Sequence, residues 1–136
     1  MCNVTIEQLC EHYDKVVELR ELQSTIDGMK EYRTVLSKDL SESDLLKKIT
    51  LEIARLDKKI IATKSELEME WTIIEKSLYC INDDIAINAA RLHYRDGMMW
   101  ADIAYITKYS SEEGIKSRVS RALKKHGIKN SRMLKG

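Results

Sequence analysis

Residues 82–127 read NDDIAINAARLHYRDGMMWADIAYITKYSSEEGIKSRVSRALKKHG, and the punctuation of this stretch decides the fold. Asn82-Asp83-Asp84 ends one helix and caps the next, because short acidic and amide side chains satisfy free backbone N–H groups. Ile85 to Arg95 then reads as a short helix with Ala86, Ala89 and Ala90 on one side and Ile87, Leu92 and Tyr94 as larger apolar residues. Asp96-Gly97 is a turn signal, with Gly97 free to take positive φ at a helix end. Trp100 to Ile106 reads as a third, very short helix, and Lys108-Tyr109-Ser110 as the turn after it. Ser110 or Ser111 caps the last helix. Glu112 and Glu113 lie in its first turn, where acids meet the positive end of the dipole. It runs to about Lys125, and His126-Gly127 closes it.

On that last helix Ile115, Val119, Ala122 and Leu123 share the inward face, while Lys116, Ser117, Ser120, Arg121 and Lys124 fall outward. From Ile115 to Gly136 there are eight Lys or Arg and no Asp or Glu. The net charge of +1 hides this asymmetry: residues 1–81 hold 12 basic and 16 acidic residues, residues 82–136 hold 11 and 6. A basic half beside an acidic one points to a polyanion as the partner of the basic half. A solvated basic face gives a similar wheel, but a short helix and a tight turn directly before it fit a helix presented to the DNA major groove. The expected base-edge contacts are Ser111, Glu112, Lys116, Ser117 and Ser120. The expected phosphate contacts are Arg118, Arg121, Lys124 and Lys125.

The run Leu92-His93-Tyr94-Arg95-Asp96-Gly97-Met98-Met99-Trp100-Ala101-Asp102-Ile103-Ala104, followed by Ile115-Lys116-Ser117-Arg118-Val119-Ser120-Arg121-Ala122-Leu123-Lys124-Lys125, resembles region 4 of sigma-70-type factors. In that family a Leu-x-Tyr…Gly-Leu-x-Trp/Tyr-x-x-Ile-Ala stretch precedes a Val-Lys-Ser-Arg-x-x-Arg-Ala-like recognition helix. Met98 stands for the usual Leu and Ile115 for the usual Val. The resemblance covers about residues 84–126. The turn between Ala104 and Ile115 is one residue longer than the commonest form, and Lys108 stands where Gly is usual. Nothing in the chain matches sigma region 2, so a complete sigma factor is not implied. A helical arm joined to a region 4-like end is similar to phage and prophage transcriptional regulators of the ArpU/RinA type. That resemblance implies a helix-turn-helix that binds double-stranded DNA, with RNA polymerase as a second possible partner.

The stretch before residue 82 carries two longer helical patterns. Thr5 with Gln8 makes a capping-box signature. Ile6, Leu9, Tyr13, Val16, Leu19, Leu22, Ile26, Met29, Tyr32 and Leu36 then recur at helical spacing. Gly28 interrupts that pattern, weakens the helix by about 1 kcal/mol relative to Ala, and serves a bend, a close helix approach or nothing at all. The pattern lapses over residues 37–43, where Ser41 or Ser43 can cap a second helix. Leu46, Ile53, Ile60, Leu67, Ile74 and Ile81 follow at intervals of seven, with Ile49 and Leu56 as companions. The companion seam then fails at Thr63, Glu70 and Ser77, and Trp71 and Leu78 take it over. A straight helix drifts about 20° per heptad, so the apolar face turns toward a different partner there.

Composition supports an all-α chain. Its 136 residues include no proline and five glycines, and those are the residues that break helices. The expected architecture is a long antiparallel helical hairpin, coiled-coil-like, followed by a small C-terminal helix-turn-helix domain. Residues 1–81 form the arm (helices at about 5–36 and 43–80), 82–127 the small domain and 128–136 a basic tail. A two-helix arm buries one stripe per helix, so a homodimer or higher oligomer through the arm is expected.

Cys2, Cys10 and Cys80 have no CxxC spacing, and an odd count fits a reducing cytoplasm; the phage-regulator resemblance implies that of a bacterial host cell. Cys80 beside Ile81 reads as a small core residue. No run approaches the ~18 apolar residues of a membrane span, so no membrane partner is expected. No cofactor or metal site is read. His12, His93 and His126 are scattered and no phosphate loop or nucleophile motif accompanies them, so catalysis is not expected. Two other functions remain open on the sequence. One is a DNA-binding subunit of phage packaging, similar to a small terminase. The other is a coiled-coil adaptor that binds RNA polymerase without touching DNA.

Overall fold

A computed structural model describes residues 4–38 and 43–125. Among these residues it is all helical. Helix α1 spans Ile6–Leu36, α2 Ser43–Leu78, α3 Asp84–Ala90, α4 Trp100–Thr107 and α5 Glu112–Lys125; a π-helical turn, Arg91–Arg95, follows α3 directly. No described helix is long and apolar enough to cross a membrane.

Packing divides the chain into two compact units, residues 17–66 and residues 1–16 with 67–136. The sequence pattern suggested a division at residue 82. The packing division falls inside both long helices, so each of them contributes a segment to either unit.

The unit of residues 17–66 is a helix pair. Segments 17–36 and 43–66 share a core of Ile26, Ile53, Leu56 and Ile60, bordered by the half-buried Leu19, Leu22, Met29 and Ile49. The short connection across 37–42 requires the two segments to run antiparallel. Lys30 Nζ lies 3.9 Å from Asp57 across the pair. Ile53, Leu56 and Ile60 come from the heptad, so the interval of seven marks the buried seam. Tyr32, Val35, Leu51 and Ile61 are exposed.

The second unit holds the larger core, and both of its long-helix segments take part. Thr5 opens α1 with the expected capping box: its N–H donates to Gln8 Oε1 at 2.8 Å and its Oγ1 accepts from the Gln8 N–H at 3.2 Å. Leu9 is then buried with Trp71, Ile74 and Leu78 of α2. Trp71 and Leu78 thus do replace the failed companion seam, since this part of α2 faces a new set of partners. His12 is buried as well, 1% exposed. Its Nδ1 is 2.7 Å from Glu70 Oε1, and Lys15 Nζ is 3.2 Å from Glu70 Oε2. Burial raises the Glu70 pKa, but the hydrogen bonds from His12 and Lys15 outweigh that and hold the carboxyl below its ordinary value. The Trp71 Nε1–H is buried with no hydrogen-bond partner among the described residues.

Two local readings change. Cys80 is exposed, because α2 ends at Leu78 and the chain turns outward before Ile81 comes back into the core. The helix read from Ile85 to Arg95 is α-helical only to Ala90 and then widens. The Asp96 N–H reaches back five residues to the Arg91 carbonyl at 3.1 Å, the bond that defines a π turn. Gly97 follows at φ 71°. There its lack of a Cβ is needed, and its N–H closes on the His93 carbonyl at 3.0 Å.

Candidate nucleic-acid interface

Helix α5 is built as its pattern predicts. The Gly114 N–H donates to Ser111 Oγ at 3.1 Å, so Ser111 rather than Ser110 caps the helix. Glu112 and Glu113 occupy the first turn, Lys124 and Lys125 the last. Both placements suit the helix dipole. Ile115, Val119, Ala122 and Leu123 are buried, in one core with Ala86, Ala89 and Ala90 of α3 and Ile103 and Ala104 of α4. The small alanines let α3 lie close to α5. This packing fixes the rotation of α5 about its axis, and with it what faces outward. Glu112, Lys116, Ser117, Arg121, Lys124 and Lys125 are exposed and Ser120 is half-buried. Lys116, Arg121, Lys124 and Lys125 form no ion pair among the described residues.

The turn before α5 is held by backbone geometry. Lys108 adopts the left-handed conformation at φ 61°, ψ 32°. Tyr109 N–H reaches the Ala104 carbonyl at 2.9 Å and Lys108 N–H the Tyr105 carbonyl at 3.3 Å. These two bonds make a Schellman ending, which normally places Gly at the left-handed position. Lys there costs about 1 kcal/mol or more in backbone strain. Four residues, Lys108 to Ser111, separate α4 from α5.

Arg118, one of the expected phosphate contacts, is engaged within the fold. Its Nε and Nη2 donate to the two Asp83 carboxylate oxygens, each at 3.0 Å, and Nη1 donates to Tyr109 Oη at 2.6 Å. Asp83 also accepts from the Ala86 N–H at 3.1 Å as the cap of α3. The Asp83–Arg118 pair therefore ties together the start of α3, the turn before α5 and the middle of α5. The Arg118 guanidinium beside it holds the Asp83 carboxyl below its usual range, although partial burial opposes this. Three of its five N–H donors are engaged within the fold, so Arg118 braces the unit in this structure. An open groove of about 750 Å³ runs between Asp83–Ile85 and the side of α5 that bears Arg118, Arg121 and Lys125.

A stack of rings supports the same unit. His93 is buried, with Tyr13 on one face and Trp100 on the other, each with its centroid 4.1 Å away. Tyr94 meets His93 edge-on at 4.8 Å. His93 Nδ1–H donates to the Met98 carbonyl at 2.8 Å. Burial lowers the His93 pKa; the Met98 bond opposes this, and the charge of Lys116 adds to the lowering. His93 is thus a neutral structural ring, as is fitting for a residue sandwiched among aromatics.

Sequence pattern placed α5 and its outward basic residues. It missed Asp83, Tyr109 and Tyr13 as parts of the support, since their partners lie 35, 9 and 80 residues away and leave no local spacing. Residues 126–136, with the closing His126-Gly127 and the basic tail, lie outside the described residues. No family model, no curated protein and no solved structure matches the chain.

Proposed function

We propose that α4, the turn and α5 act as a helix-turn-helix that binds double-stranded DNA, in a transcriptional regulator of phage or prophage type. The observation that carries this reading is the two-sided character of α5. One side is locked by Ile115, Val119 and Leu123, and the other presents Lys116, Ser117, Arg121, Lys124 and Lys125. A major groove accepts a helix of this width, side chains near its start reach base edges and flanking cations meet phosphates. Lys116, Ser117 and Glu112 are the base-reading candidates, with Ser120 at their margin. Ser111 has its hydroxyl oxygen engaged as the helix cap, which limits it to donating. Arg121, Lys124 and Lys125 are the phosphate candidates, and Arg118 sets their aim.

Selection from random duplexes with the full chain should yield a defined site. The variant Arg121→Gln/Lys124→Gln/Lys125→Gln should then lose affinity on that site and on unrelated DNA alike, read by fluorescence anisotropy. An unchanged affinity in this folded variant would overturn the assignment.

A second reading, an adaptor that contacts RNA polymerase or another protein, is favoured by one feature. Tyr105 is 87% exposed and Ile106 54% exposed on α4. Such an apolar face suits a protein surface better than a phosphate backbone. Capture of polymerase by a protein that fails to shift any duplex would support the adaptor.

A further inference from the structure

The arm unit of residues 17–66 carries two exposed stripes that match each other. On α1 the stripe is Glu21, Gly28 and Glu31; on α2 it is Lys48, Leu51 and Lys58. Residues three, four and seven apart lie on one face of a helix, so each set is a single stripe. Both stripes lie away from the Ile26/Ile53/Leu56/Ile60 core. None of the four charged residues forms an ion pair among the described residues. Of the acids on α2, Glu52 pairs with Arg55 and Asp57 with Lys30, and Asp44, one turn before Lys48, forms no ion pair among the described residues.

The spacings run in opposite order. Along α1, Gly28 comes seven residues after Glu21 and three before Glu31; along α2, Leu51 comes three residues after Lys48 and seven before Lys58. At 1.5 Å per residue these intervals are about 10.5 and 4.5 Å on either helix. Laid antiparallel, the two stripes bring Lys48 to Glu31, Leu51 to Gly28 and Lys58 to Glu21 at once. Leu51 is the knob of this match, 72% exposed. Gly28 is exposed and leaves open space, since a Cβ built on it meets nothing within 4 Å, so a knob from another helix can approach the backbone there.

We propose that the occupant of the α2 stripe is the α1 stripe of a second copy of this chain. One copy offers α2 and the next offers α1, so the contact is heterologous and can close into a ring or continue from copy to copy. A single helix-to-helix contact of this length is at the small end of protein interfaces, so association is weak and salt-sensitive. The proposal gives a surface to the self-association expected of the arm. It does not rest on DNA binding by α5, and its test contains no nucleic acid.

The test is sedimentation velocity of the full chain at low salt, up to roughly 0.3 mM, the range suited to a small interface. The wild type should associate. Two charge reversals, Glu21→Lys/Glu31→Lys and Lys48→Glu/Lys58→Glu, should each stay helical by circular dichroism and associate about tenfold or more weakly. Mixing the two reversed proteins restores opposite charges across the contact and should restore association. Gly28→Gln guards against a trivial folding defect. It should raise the melting temperature, because Gln is the better helix former, and yet weaken association by filling the open space. A chain that remains monomeric throughout overturns the proposal. So does association indifferent to either reversal, failure of the mixture to recover, or assembly that requires added duplex.

Discussion

The two units are made of similar helices but held together very differently. In the arm unit Ile26, Ile53, Leu56 and Ile60 form the buried cluster, all from two helices. In the other unit the buried cluster has sixteen members and draws on α1, α2, α3, α4, α5 and the π turn. It is reinforced by the His12–Glu70 bond, the Arg118–Asp83 brace and the Tyr13–His93–Trp100 stack. A core fed by many elements unfolds as one cooperative block, whereas a two-helix seam opens locally at lower free energy. The contrast suits the division of roles proposed above. The rigid unit aims a surface, and the thin-cored unit has apolar and charged residues left over for another copy.

The sharpest way to break this comparison is the same deletion in both cores. Ile115→Ala removes a fully buried side chain and should cost about 2–5 kcal/mol of global stability in urea denaturation. Ile53→Ala should speed amide exchange within residues 17–66 while leaving the protected amides of α5 as they were. Loss of α5 protection in the Ile53 variant would show that the chain unfolds as a single block.

Acid should act on the larger unit. His93 has a lowered pKa in the fold and about 6.5 when unfolded, so the folded state prefers it neutral. Its contribution is therefore fully present above about pH 6.5 and is lost as pH falls from there toward the lowered folded value. Denaturation midpoints at pH 7.5 and pH 5 should differ, and His93→Phe, which keeps a ring in the stack, should shrink the difference. An equal pH difference in that variant would place the titration elsewhere.

Two smaller changes sharpen the picture of strain and satisfaction inside the larger unit. Lys108→Gly relieves a side chain at positive φ and should raise stability by about 1 kcal/mol, visible as a higher melting temperature. Destabilisation would mean that the Lys side chain matters more than its backbone. Trp71→Phe shortens a buried ring but also removes an indole N–H that has no partner among the described residues. Removing an unsatisfied donor offsets lost contact area, so the net change should stay within about 1 kcal/mol. A much larger loss would indicate that the N–H is hydrogen-bonded.

Much of the fold was legible because it is local or periodic. The interval of seven through Ile53, Ile60, Leu67, Ile74 and Ile81 found buried positions, and the shift to Trp71 and Leu78 marked where α2 meets another core. The Thr5/Gln8 box, the Asp83 cap and the turn at Lys108 were read from short spacings and are present as read. The π turn was not legible, since Arg91–Arg95 continues the same apolar spacing as α3 and only the backbone bond to Asp96 tells them apart. Nor were the intramolecular partners of Arg118. On a helical wheel it is one basic residue among several, and only the fold brings Asp83 and Tyr109 to it. In α2 the failing companion seam at Thr63 and Glu70 brackets the change of packing partner after Glu66, whereas the apolar spacing of α1 runs on through Val16 and Leu19 and carries no mark of it.

If α5 lies against DNA phosphates, duplex binding must depend steeply on salt. Each phosphate neutralised by Lys or Arg releases counterions, giving a slope of log K against log salt of about −0.9 per contact. Full-length protein titrated onto a labelled duplex should show a slope of several units, and Arg121→Gln should reduce its magnitude by about one. Arg118→Gln should instead leave the total slope nearly unchanged while lowering the melting temperature, because its guanidinium is engaged by Asp83 and Tyr109. Binding that is absent, or that does not change with salt, would contradict the assignment of α5 as a DNA-facing helix.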